Sequence, residues 1–362
     1  DSDAATVALN GAKADDVTLE SNTGDLTDLT LTTLGEASEL SSIGTDTGGS
    51  NDENKLTSVT IEGDQDLTAE LTGLDTDAAS RTVDASGASG DLRLTVQIDE
   101  KISLQGGAGT NDTALVDINT SGDTSIDSDF ESTGFESLIV GGVASAGNGN
   151  SLDLTNVDAA VIGLQLGAGN ATFNNVAAGT SIALIGDGEE GDKPIQQATV
   201  NIAGATGANP ADSVNVSVNN LGVDVDDSST TGPGNEESIT VSGLDVSDVK
   251  NVALGAADGD VTLSSITTNG LETLTVQGAE DVTISGGVGE ATSTTSVNAS
   301  GVQGTFTTTI NNDLEEDFTY TGSAGVDVLT LGSFNADETN TVTIETGAGD
   351  DVVDLFEVSA SQ

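Results

Sequence analysis

Short runs of apolar and threonine residues, alternating or continuous, recur along the whole chain, and Gly, Asn or Asp closes each one. Clear examples lie at 56–61, 92–96, 271–276, 282–284 and 342–344. A period of two bounded by turn residues predicts strands with one face buried. No segment keeps the apolar spacing of a helix over three turns, so the pattern predicts many strands and no helices. The remaining architectures are sandwich, barrel and solenoid.

Internal repetition favours the solenoid. LTSVTIEGDQDLTAELTG from Leu56 aligns with LETLTVQGAEDVTISGG from Leu271 at an offset of 215 residues. VDASGASGDLRL from Val83 aligns with VNASGVQGTFTT from Val297 at 214, and LQGGAGTND from Leu104 with YTGSAGVD from Tyr320 at 216. Partial echoes begin at Glu136, Leu164 and Glu236. Such recurrence marks stacked supersecondary units, each burying its apolar face on the next. The expected organisation is a β-rich segment 1–55, a first repeat unit 56–118, an irregular β-repeat region 119–270 and a second repeat unit 271–362. The fold class is all-β, a repetitive parallel β-solenoid of β-roll or β-helix kind; between 119 and 270 a β-sandwich stays open as the alternative.

Composition changes the picture through charge. With 61 acidic residues against 7 basic, the net charge is −54. Repulsion on that scale opposes a compact state unless cations screen it. Nucleic acid and anionic membranes are excluded as partners, because their phosphates are repelled and the few basic residues are scattered. No apolar run is long enough for membrane insertion. Cations are the natural partners, and an acidic surface adapted to high salt is compatible with them. Cys is absent, so no disulfide supports the fold, and the core, repeat stacking or metal must do so. The chain opens at Asp1 and lacks Met, which reads as a processed product or an internal piece of something longer.

The turns carry the candidate chemistry. GSAGVDVLT at 322–330 places Gly322, Gly325, Asp327 and Leu329 on the pattern GGxGxDxUx, with Ser323 departing from it. TGAGDDVVD at 346–354 supplies Gly347, Gly349, Asp351 and Val353, with Asp350 beside Asp351. Glycines allow a tight turn with carbonyls directed inward, and Asp adds a carboxylate. Such hard oxygen donors select calcium, and a chain without His or Cys offers no softer ligand. An Asp that caps its own β-turn is the plainer reading of one isolated match; two matches near the C-terminal end favour Ca2+. The first repeat carries GGAGTND, with Gly109, Asn111 and Asp112. The offset of 216 sets Asn111, not Asp112, opposite Asp327, so either one residue is inserted or the ligand is changed. Weaker Gly/Asp turns at 11–19, 166–173 and 255–263, and the acidic runs 186–192 and 223–229, read as ordinary turns and solvated loops.

Together, LETLTVQGAEDVTISG, VNASGVQGTFT and the ending from TYTGSAGVDVLTLGSF to TGAGDDVVDL resemble the repeat regions of RTX-type bacterial surface-layer proteins. The resemblance is closest over 271–356 and partial over 56–118. It implies type I secretion, folding outside the cell on meeting calcium, and a cell-surface lattice of β-solenoid subunits. It also implies calcium ligation by Asp327 and Asp351, with Gly325 and Gly349 in the turns. The aspartates stand 24 residues apart, a looser spacing than dense tandem nonapeptides would show.

The expected function is therefore structural: a secreted, calcium-dependent subunit that assembles with itself into a lattice or filament, with a cell-surface polysaccharide as a second partner. The chief rival is a fragment of a large RTX adhesin. Enzyme activity is not expected, because the usual bases and thiol nucleophiles are missing and a sugar-cleaving site would lack aromatic platforms in a chain without Trp and with one Tyr.

Overall fold

The computed structural model describes residues 3–20, 26–46, 55–75, 78–98, 102–118, 125–126, 129–143, 150–165, 170–186, 197–206, 208–220, 239–256, 259–268, 270–288, 294–310, 317–332 and 341–355. Among them there is no helix, and the strands pair in parallel. The protein is an all-β solenoid, in two compact units. One comprises Asp1–Ser145 with Asn150–Gly163; the other comprises Ala146–Gly149 with Leu164–Gln362.

In the first unit two sheets are built from alternating strands of the chain. One runs Asp3–Leu9, Leu26–Thr33, Ser58–Gly63, Arg81–Ala88, Ile102–Gln105, Glu131–Thr133. The other takes the strands between them: Lys13–Glu20, Ser38–Asp46, Leu67–Leu71, Leu92–Ile98, Thr113–Ile118, Ser137–Val143. Each coil over 3–118 therefore gives one strand to each sheet, and every ladder joins one coil to the next; farther along, Ser125–Ile126 and Asn150–Asp153 pair in a third sheet. Alternation decides which side chains enter the core. In Leu67–Leu71 the residues Leu67, Ala69 and Leu71 are buried while Thr68 and Glu70 are exposed. The next coil repeats this with Leu92, Leu94 and Val96. Arg81, among the few basic residues, is also buried; burial lowers its pKa from the ordinary value, and the Asp75 carboxylate opposes that shift.

The second unit follows the same rule. One sheet contains Ala211–Asn220, Val249–Ala256, Thr273–Gly278, Ser296–Val302, Phe318–Thr321 and Val342–Glu345. Another contains Ile239–Val241, Val261–Leu263, Val282–Ile284, Phe306–Ile310, Asp327–Leu331 and Val352–Leu355. Its core includes Phe306 and Tyr320, stacked with ring centroids 6.4 Å apart. The ladders described between 119 and 270 are parallel as well, where the sequence left a sandwich open.

The two repeat copies fold alike, down to one irregularity. Ser58–Gly63 and Thr273–Gly278 share a burial pattern, and each pairs with a strand that carries a bulge at the same step. The bulge contains Asp84-Ala85-Ser86-Gly87 in one copy and Asn298-Ala299-Ser300-Gly301 in the other. In both, the first side chain accepts the backbone N–H two residues on: Ser86 to Asp84 at 2.9 Å and Ser300 to Asn298 at 3.0 Å. That bond satisfies an amide which the extra residue takes out of the ladder. The Ser86 side chain first, and then this N–H, hold the Asp84 carboxyl below its ordinary pKa. Replacing Asn298 with Ala should cost about 1 kcal/mol in urea unfolding, whereas Asn298→Asp should retain parental stability because the first copy already uses Asp there.

Candidate functional site: the stacked acidic turns

The turns that lead into the strands form the candidate site, and their geometry follows from stacking. The loop preceding Asp327–Leu331 packs its glycines on the coils beside it. A Cβ at Gly325 would overlap the Gly304 carbonyl oxygen, and one at Gly349 would overlap that of Gly325. Gly349 moreover has φ +132°, a conformation closed to ordinary side chains. In the first unit Gly109 lies against Gly90 in the same manner.

Asp327 is fully buried within this turn. Its Oδ1 accepts the Tyr320 hydroxyl at 2.9 Å and shares the Ser323 N–H, which lies 2.9 Å from Oδ2; the Ser323 hydroxyl donates to Oδ2 at 3.2 Å. Its own N–H donates to Asp351 Oδ1 at 3.0 Å, so the aspartates of successive turns, 24 residues apart in sequence, adjoin. Burial pushes the Tyr320 phenol well above its ordinary pKa, and the Asp327 charge adds to that.

Asp112 is equally buried and occupies the equivalent place. Its Oδ2 accepts the Gly107 N–H at 2.9 Å, as Asp327 accepts that of Ser323, and its Oδ1 accepts the Leu92 N–H of the preceding coil at 2.9 Å. The Asp112 N–H donates to Glu136 Oε2 at 2.7 Å. Asp112, and not Asn111, is thus the counterpart of Asp327, and the first copy carries one inserted residue. Asn111 is exposed and does something else: its amide donates to Asp91 Oδ2 at 3.1 Å, while the Thr110 and Asn111 N–H groups reach Asp91 Oδ1. Desolvation raises the Asp112 pKa, with Glu136 and Asp91 adding repulsion against the two backbone donors. Asp91 is held low, first by the Asn111 amide and then by the Thr110 N–H.

A wider series emerges that the sequence reading missed. Asp91 donates its N–H to Asp66 Oδ1 at 2.9 Å; in the second unit Asp281 donates to Asp260 Oδ1 at 3.1 Å, and Thr305 to Asp281 Oδ1 at 2.6 Å. An acid directly before a strand therefore receives an N–H from the neighbouring coil. The signal was present in the sequence as Asp66-Leu67, Asp91-Leu92, Asp260-Val261 and Asp281-Val282. Asp350 is exposed beside this series. The runs 187–192 and 223–229, together with 166–169 and Asp258, lie outside the described residues.

The donors at these turns are carboxylate and peptide oxygens, the chemistry that suits calcium rather than softer metals. Among the described residues no three acidic side chains gather on one point, whereas calcium takes about six to eight oxygens. Any such ion would draw much of its coordination from carbonyls and water. No known protein family matches the chain, and neither a curated protein nor a solved structure does.

Two outcomes test this arrangement. Asp327→Asn presents an amide NH2 where the Ser323 N–H needs an acceptor and should cost about 1–3 kcal/mol in urea unfolding, more than the roughly 1 kcal/mol of Tyr320→Phe, which leaves Asp327 its Ser323 bonds. Asp91 has a depressed folded pKa, so its contribution is present above the unfolded aspartate range and is lost as pH falls through the folded value. Asp91→Ala should therefore melt below the parent at neutral pH, and the gap should close in melts at strongly acid pH.

Proposed function

We propose that this chain is a structural subunit of an extracellular bacterial surface layer, and that calcium at its acidic turns couples folding to assembly. The observation that carries the reading is that acidic residues of successive coils adjoin: the Asp351 carboxylate accepts the Asp327 N–H, and the Glu136 carboxylate accepts the Asp112 N–H and repels the Asp112 charge. Acids gathered in this way, in a chain of net charge −54, favour the binding of a divalent cation. Asp327, Asp351 and Asp112 supply the carboxylates, Asp350 an exposed one nearby, and the Gly109, Gly325 and Gly349 turns the close backbone.

Low calcium inside a cell leaves such a chain self-repelling and unfolded, and calcium outside the cell neutralises the turns. Self-association in this reading rests on the surface lattice that the resemblance to RTX-type surface-layer repeats implies. The structural reading, as against a catalytic one, rests on the sequence, which supplies neither His nor Cys. A polysaccharide of the cell surface is the second partner in this reading.

Calcium at about a hundred times its Kd adds about 2.7 kcal/mol per site. The melting temperature should thus rise between EDTA and excess calcium, and Asp327→Asn/Asp351→Asn should lose part of that rise. Negative-stain images should show sheets or filaments only with calcium. Identical melts and identical images in both buffers would sink the reading.

A further inference from the structure

The outer face of the second unit's sheet departs from the rest of the molecule. In the first unit the outward positions of the strands include Glu62, Glu70, Arg93 and Glu131. In the second unit the register aligns Asn215, Ala253, Thr275, Asn298 and Thr321 in one rank across five strands, and Glu345 ends it on the sixth. None of the first five ionises, in a chain with 61 acidic residues.

The next rank runs Ser217, Gly255, Gln277, Gly301. Polar side chain and glycine alternate, so the surface is notched. An open groove of about 360 Å3 lies there, with Gln303 as a further wall and Gly278 in its lining. The wall is tied down, since the Gln303 N–H donates to the Gly278 carbonyl at 2.9 Å. The Ser217 hydroxyl donates to the Ile182 carbonyl at 3.4 Å and keeps its oxygen as an acceptor. A Cβ at Gly301 would stand 2.8 Å from the Gln277 Cβ and crowd that side chain out of its place.

The groove thus offers side-chain amides, which donate and accept, and a hydroxyl oxygen, without charge. A polyanion is repelled by the chain as a whole. A protein partner would need an apolar centre, and the exposed large apolar side chains among the described residues, Leu34, Val326, Val352, Val353 and Leu355, lie off this face. A neutral polymer dense in hydroxyls matches both the absence of charge and the mixed donors and acceptors.

We propose that the groove between Ser217, Gln277 and Gln303 binds a neutral polysaccharide, whose chain continues over the adjoining Thr/Asn rank. Hydrogen bonds alone, with no aromatic platform, make a single contact weak; an array of copies multiplies it. The proposal rests on the surface-protein reading only for where such a polymer is met.

Affinity electrophoresis of the full chain in calcium buffer tests it, through native gels containing dextran, mannan or hydroxyethyl cellulose, each referred to a polymer-free gel. At least one neutral polymer should retard the parent, and dextran sulfate should not. Gln277→Glu/Gln303→Glu, with circular dichroism equal to the parent's, should weaken the retardation about tenfold or more. Gln97→Glu, in the other unit, should leave it unchanged. Migration unaffected by all three neutral polymers, or equal retardation of the double variant, overturns the proposal. So does a double variant that alters only the sedimentation coefficient, which would assign the face to contact between copies. Loss of calcium-dependent assembly with glycan retardation intact would count against the lattice alone.

Discussion

Everything in this protein depends on the parallel ladder between one coil and the next. Coils spaced by about 4.8 Å along the stacking direction bring each residue of a coil against its equivalent in the neighbours. Whatever occupies a turn position is therefore repeated at short range. Apolar residues profit from this, since Leu40, Ala69, Leu94 and Ala114 continue one another's burial. Acids do not, because a carboxylate stacked on a carboxylate is repelled. The turns resolve the conflict through hydrogen bonds: an acid placed directly before a strand receives the N–H of an adjoining coil, as Asp66 does from Asp91 and Asp260 from Asp281.

The resolution is incomplete where the acid is buried. Asp112 keeps two backbone donors and still has a raised pKa, because desolvation and the charges of Glu136 and Asp91 outweigh them. Asp327 accepts from Tyr320 and from both the backbone and the hydroxyl of Ser323, and the phenol beside it is driven away from ionisation. Charge is thus gathered at the same positions that hold successive turns together. A cation arriving there would act on the coupling between coils, which is why folding and assembly are joined in the proposed function.

Away from the turns, the molecule treats its outer faces differently. The side chains that point outward do not set the fold, so they are free to carry charge at some positions and amides and hydroxyls at others, such as the ranks through Asn298 and Gln277. The rank Ser217, Gly255, Gln277, Gly301 gains its notch from the alternation of glycine with polar residues across four strands. No stretch of contiguous sequence displays that alternation.

Alternation with a period of two lies within a single strand, so the strands, their inward residues and the absence of helices were legible from the sequence alone. So was the duplication, since Asp84 and Asn298 stand in matching ASG steps and form the same bulge. The choice of parallel coils over a sandwich between 119 and 270 was not, because both architectures use the same alternation and differ in which distant strands pair. Nor could residue counting separate Asn111 from Asp112: one inserted residue leaves the local pattern intact, and only burial against Leu92 and Gly107 assigns Asp112 the place of Asp327. Asp66, Asp91 and Glu136 entered the site for the same reason. Their role is defined by an N–H one coil away, and the register that brings it there is set by hydrogen bonds between residues 24 or 25 positions apart.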